Sequence, residues 1–114
     1  MDVPLEYLLY LTTINKNRNR VTVQELVNIL HRLKSEYRIN ILNVNELMEL
    51  LEILQDVDVI KLEKENKTIW VVIKDPDYIK NRYRLLVSSY LYRIDQNYRE
   101  VLESVRKVVD NLIS

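Results

Sequence analysis

The sequence predicts a mainly α fold with a small β-hairpin, an α+β class, in which residues 1–74 form one small domain and residues 75–114 a long C-terminal helix. Three observations carry this. Apolar residues recur at helical spacing in three successive segments, two of them preceded by capping signals. The spacing switches to the period of a strand between Val59 and Ile73. After Asp75-Pro76 it becomes helical again, and no further Pro or Gly interrupts it.

The first helix is expected over Leu5 to Ile14, with Pro4 suited to its opening turn. Leu5, Leu8, Leu9 and Thr12 share one face, while Tyr7, Tyr10, Leu11 and Ile14 make the other side apolar too. A helix apolar most of the way round is buried on two sides or lies in an interface. Asn15 to Arg20 is a polar, basic loop. Thr22-Val23-Gln24-Glu25 is a capping box, with Thr22 as N-cap and Glu25 reaching back. The helix it opens places Val23, Leu26, Val27, Leu30 and Leu33 inward. Asn43 or Asn45 caps a third helix, whose inward residues are Leu47, Leu50, Leu51 and Leu54. Its outer side carries Glu46, Glu49, Glu52 and Asp56.

Val59 to Glu63 and Thr68 to Ile73 are the strands of the hairpin. Asn66 serves the turn, since it tolerates a left-handed backbone in a chain without glycine. Trp70 is expected in the core. Asp75-Pro76-Asp77 starts the last helix, with Asp75 as N-cap. Its apolar series is Ile79, Tyr83, Leu86, Tyr90, Ile94, Tyr98, Val101, Val105, Val108 and Leu112. The steps average about 3.67 residues, nearer an eleven-residue repeat than a heptad. Asp95-Gln96-Asn97 is the one point where a bend is expected. The stripe is longer than a small domain can cover, so it is read as a homodimerisation surface. The alternative is a helix that folds back in two pieces over the first helix.

Composition narrows the chemistry. At 47% hydrophobic and 30% charged, the chain is rich enough in apolar residues to fold as an ordinary globular domain. Cysteine is absent, which removes disulfides and thiolate metal sites. Glycine is absent, which removes the phosphate-cradling loops that need positive φ and close backbone approach. His31 stands alone, and the carboxylates have no partner nucleophile or second His. No enzyme activity, cofactor or metal is expected. No run approaches about 18 apolar residues, so no membrane span is expected. Met1-Asp2-Val3-Pro4 lacks the basic region that opens a signal peptide, so the chain is expected in the cytoplasm.

Helix, helix, helix, hairpin is the element order of winged helix-turn-helix domains. The stretch Val21 to Ile73 resembles that superfamily. The passage from Glu46-Leu47-Met48-Glu49-Leu50-Leu51-Glu52-Ile53-Leu54 into Val57-Asp58-Val59-Ile60-Lys61-Leu62-Glu63 is similar to the third helix and first wing strand of bacterial and archaeal regulators. One departure is Asp56-Val57-Asp58, where such domains often carry glycine. The resemblance implies a winged helix followed by a long C-terminal helix. It also implies a homodimeric regulator of transcription that binds double-stranded DNA, with the third helix in the major groove and the wing on the backbone.

Charge placement cuts against part of this. The chain is neutral, with 17 basic and 17 acidic residues. Between Ile41 and Glu65 seven acids (Glu46, Glu49, Glu52, Asp56, Asp58, Glu63, Glu65) face two bases (Lys61, Lys64). An acidic third helix is a poor fit to polyanionic DNA. Bases suited to phosphate contact are Lys16, Arg18 and Arg20 in the first loop, Arg38 after the second helix, and Lys61, Lys64 and Lys67 near the wing tip. Lys80, Arg82, Arg84 and Arg93 line the start of the last helix, with no acid between Tyr78 and Ile94. The alternative function is therefore a protein–protein adaptor, with a basic partner at the face of Glu46, Glu49, Glu52 and Asp56. That acidic face could also be plain solvated surface, or pair with the basic start of the last helix.

Overall fold

A computed structural model describes residues 3–113. Helix α1 (Leu5–Thr12) is the centre of the core: Leu5, Tyr7, Leu8, Leu9, Leu11 and Thr12 are all buried. A helix apolar on both sides is here covered on both sides. Its buried end satisfies its own polar groups, because the Thr12 and Thr13 hydroxyls donate to the Leu8 and Leu9 carbonyls at 2.9 and 2.6 Å.

A 3₁₀ turn (Ile14–Lys16) leads through Asn17 into strand β1 (Arg20–Thr22), an addition to the predicted hairpin. Thr22 then begins α2 (Val23–Tyr37). Its hydroxyl accepts from the Glu25 N–H at 3.0 Å, and the Glu25 carboxylate accepts from the Thr22 N–H at 2.9 Å. Leu26, Ile29, Leu30 and Leu33 are buried. Helix α3 (Val44–Asp56) repeats the device with Asn43 and Glu46, and buries Leu47, Leu51 and Leu54.

Strands β2 (Ile60–Glu65) and β3 (Thr68–Ile73) follow, and β1 completes an antiparallel sheet in the order β1-β3-β2. Val71 pairs with Val21 on one side and Leu62 on the other. With Val71 pointing into the core, strand alternation sends Trp70 to the opposite face. The core position expected for Trp70 is thus corrected. Four residues take the left-handed conformation that glycine would usually fill: Asn17, Arg38, Asp58 and Asn66. Asp58 is the one that occupies the junction of α3 and the hairpin.

The C-terminal segment is not one unbroken helix. It comprises α4 (Pro76–Val87), α5 (Tyr90–Ile94) and the long α6 (Gln96–Leu112). The bend expected at Asp95 is present, and a second break falls at Ser88-Ser89. Both breaks are made by side chains that compete for the backbone. The Ser88 hydroxyl donates to the Arg84 carbonyl at 2.7 Å, Ser89 caps Tyr92 and Asp95 caps Tyr98.

Helix α6 folds back along α1 and α2, with Leu102, Val105, Val108 and Val109 buried. The Tyr7 hydroxyl donates to the Leu102 carbonyl at 2.9 Å. Burial, with Tyr83 nearby, pushes the Tyr7 phenol above its ordinary range. Tyr83 of α4 stacks on Tyr10 at 3.9 Å between centroids and on Tyr7 at 5.7 Å. The buried residues of α1, α2, α3 and α6, together with Ile79, form one cluster. Residues 3–74 and 75–113 therefore share a core. The fold class is the one expected: mainly α, with a small antiparallel sheet and a long final helix.

Candidate interaction surfaces

The expected dimer stripe is mostly used within the chain. Ile79, Tyr98, Val105 and Val108 are buried, and Tyr83, Leu86 and Val101 are half-buried. Only Tyr90, Ile94 and Leu112 stand exposed. Seven of the ten stripe residues are thus covered, wholly or in part, within the chain. Helical periodicity reports that a face is covered, and here α1 and α2 of the same chain cover it.

The basic first loop is likewise engaged at home. Lys16 Nζ lies 2.6 Å from Asp110 of α6, and little of its side chain reaches solvent. The Arg18 guanidinium meets both oxygens of Glu25, at 2.9 and 3.4 Å, and its Nε donates to the Arg20 carbonyl. Burial alone would raise the Glu25 carboxyl. The Thr22 N–H and Arg18 outweigh burial and hold it below the usual carboxylate range. Arg20 lies 3.8 Å over the Trp70 ring and 3.6 Å from Glu65. Phosphate contact by these three would first have to displace a carboxylate.

The other predicted bases are placed differently. Arg38, Lys61, Lys64 and Lys67 are exposed, and among the described residues they form no ion pair. The hairpin is tied to α3 because the Leu62 N–H donates to the Gln55 side chain at 2.8 Å.

On α3 the acids face solvent. Glu46 is spent on its cap, while Glu49, Glu52 and Asp56 are exposed and have no ion-pair partner among the described residues. Among the described residues no acid of α3 pairs with Lys80, Arg82, Arg84 or Arg93, and Arg82 is held instead by Glu6 at 3.4 Å. Sequence patterning missed the apolar residues set among these acids: Val44, Ile53 at 55% exposure and Val57 at 62%. Their signal was position, because Ile53 falls outside the Leu47-Leu51-Leu54 stripe.

A second exposed apolar group lies at the α4–α5 corner. Leu85 is 63% exposed, Tyr90 77% and Ile94 60%, with Leu91 also open. Lys80, Arg84 and Arg93 stand on the same two helices and form no ion pair among the described residues.

The described residues hold no cluster of three or more His, Cys, Asp or Glu able to bind a metal. Among them no buried side-chain polar atom is left unpaired. His31 lines an open depression of about 390 Å³ with Val27, Leu30, Lys34, Leu42 and Val44. That set contains no acid–base pair around which a reaction could be organised. No helix among the described residues is long and apolar enough to cross a membrane. Comparison with protein-family models, with curated proteins and with solved structures returned no match to this chain.

Proposed function

We propose that the chain is a winged-helix module that works through protein contact, with the outer face of α3 as its working surface. The element order α1-β1-α2-α3-β2-β3 and the strand order β1-β3-β2 support the winged-helix reading. One observation carries the protein-contact reading. The bases of the first loop are neutralised internally, while the acids of α3 stand unpaired around exposed Ile53 and Val57. In a winged helix this face would enter the major groove. Phosphate repulsion opposes that entry, and a partner carrying bases and apolar side chains suits it.

The test is affinity capture from nuclease-treated extract of the source cells, with wild type and Ile53→Lys as parallel baits. The expected result is a protein retained by wild type and lost by the variant. Identical recoveries from both baits would overturn the reading.

A second reading, a homodimeric DNA-binding regulator, is favoured by Arg38, Lys61, Lys64 and Lys67, which remain free for phosphate contact. It is tested by duplex affinity against salt. Replacing the three wing lysines by Gln removes them from both copies and would lower the magnitude of the log–log slope by about 5. An unchanged slope, or no binding at low salt, rejects it.

A further inference from the structure

The chain exposes two apolar faces of opposite charge. The first is α3, where Ile53 and Val57 stand among Glu49, Glu52 and Asp56. The second is the α4–α5 corner, where Leu85, Tyr90 and Ile94 stand in a segment containing Arg84 and Arg93; Asp95 and Glu100 border Ile94, and they accept from the Tyr98 N–H and the Gln96 side chain. Exposed apolar groups of this kind mark interaction sites on small domains.

Within one chain the two faces are held apart. Helix α3 packs against β2, and Gln55 locks it there. Helix α4 is fixed to α1: the Tyr78 hydroxyl donates to Glu6 at 2.9 Å, Arg82 pairs with the same carboxylate, and Tyr83 stacks on Tyr10. Helix α5 is fixed to α6, because Arg99 donates to the Tyr92 and Arg93 carbonyls at 3.0 and 2.6 Å. Among the described residues no ion pair joins the two faces.

A second copy supplies both complements at once. We propose that α3 of one copy docks on the α4–α5 corner of another. Apolar side chains meet at the centre, and Glu49, Glu52 and Asp56 face Arg84 and Arg93. Rim charges of this type set register and encounter rate, and the covered apolar groups supply most of the affinity. The two patches differ, so the contact is head-to-tail. A head-to-tail pair keeps one face of each kind open, one on each copy, and the assembly grows until a ring closes or a filament forms. The proposal rests on the protein-contact reading of α3 and names its partner.

Sedimentation velocity on the full chain over a range of concentrations tests it. Wild type is expected to gain mass with concentration. Two paired truncations of exposed residues, Ile53→Ser with Val57→Ser and Tyr90→Ser with Ile94→Ser, are each expected to weaken association by on the order of tenfold or more. Circular dichroism verifies that both remain folded. Each truncated protein keeps the face that the other lacks, so an equimolar mixture is expected to form a 1:1 heterodimer and nothing larger.

A wild type that stays monomeric throughout overturns the proposal, as does a mixture that stays monomeric. Loss of association in the α4–α5 variant alone would mean a two-fold contact of like on like, and also overturns it. If wild type is monomeric but capture still separates it from Ile53→Lys, self-docking fails while the protein-contact reading stands.

Discussion

Leu102→Ala tests whether α6 is part of the chain's own core. Leu102 is 1% exposed, and its backbone carbonyl is pinned by the Tyr7 hydroxyl across the α1–α6 contact. Core Leu→Ala changes cost about 2–5 kcal/mol, and the cost rises when the site cannot collapse. The Tyr7 anchor restricts that collapse, so a loss of about 3–4 kcal/mol is expected. At about 2 cal/mol/K per residue of unfolding entropy, a chain this long should lose roughly 12 °C in Tm for a 3 kcal/mol change. Ile94→Ala, at an exposed position of α5, should cost less than about 0.5 kcal/mol. The assay is thermal and urea unfolding followed by circular dichroism, run at two protein concentrations tenfold apart. Because the cover over Leu102 comes from the same chain, the gap between variant and wild type should be equal at both concentrations. A loss under about 1 kcal/mol, or a gap that closes on dilution, would refute the intramolecular docking of α6.

Three further outcomes follow from single contacts. Arg38 and Asp58 hold left-handed backbone at φ 56° and 62°. That conformation costs an L-residue about 1–2 kcal/mol, and glycine returns roughly half of the relief as unfolded-chain entropy. Arg38→Gly and Asp58→Gly should each therefore raise stability by about 0.5–1 kcal/mol in denaturant titrations, and Arg38→Ala should not.

Glu25 has a lowered pKa in the folded chain, so its contribution is complete above its unfolded value of 4.5 and fades as pH falls through the folded value. Glu25→Gln should cost about 1 kcal/mol at neutral pH and flatten the stability profile below pH 4.5, as read from urea midpoints across pH. A profile that keeps its full acid slope in the variant would discard this assignment.

Arg20→Ala uncovers Trp70, the only tryptophan. Its emission should shift to the red, at a stability cost of about 0.5–1 kcal/mol. Unchanged emission would mean that the guanidinium does not sit on the ring.

Local signals in the sequence were read correctly where the physics is local. Thr22 with Glu25, Asn43, and Asp75 with Pro76 each start the helix they were expected to start. Asn66 turns the hairpin. The errors share a different cause. Strand β1 has three residues, and its last one is also the N-cap of α2, so the capping box hid the strand. The break at Ser88-Ser89 lay inside an apolar series that keeps its phase across the gap, and no Pro or Gly marked it. Periodicity also carries no information about which surface provides the cover. The ion pairs of the charged loop were not legible because two of its partners are remote: Lys16 meets Asp110 across 94 positions, and Arg20 meets Glu65.

The neutral composition takes on a different meaning once those ion pairs are in place. With Lys16, Arg18, Arg20, Arg32, Lys74 and Arg82 each matched to a carboxylate, the unmatched charge is what a partner would meet. On α3 it is acidic; on the hairpin Lys61, Lys64 and Lys67 outnumber Glu63, and on α4 and α5 Lys80, Arg84 and Arg93 outnumber Asp77. Salt separates the two uses of that residue of charge. Duplex binding through the hairpin lysines would release a condensed counterion at each phosphate contact, so its affinity would fall steeply and log-linearly with salt. Docking of α3 on the α4–α5 corner exchanges a few exposed pairs, each worth at most about 1 kcal/mol, over an apolar centre that salt does not weaken. Association that survives high salt and fails on removal of Ile53 and Val57 is the signature of a molecule that reads protein with its third helix.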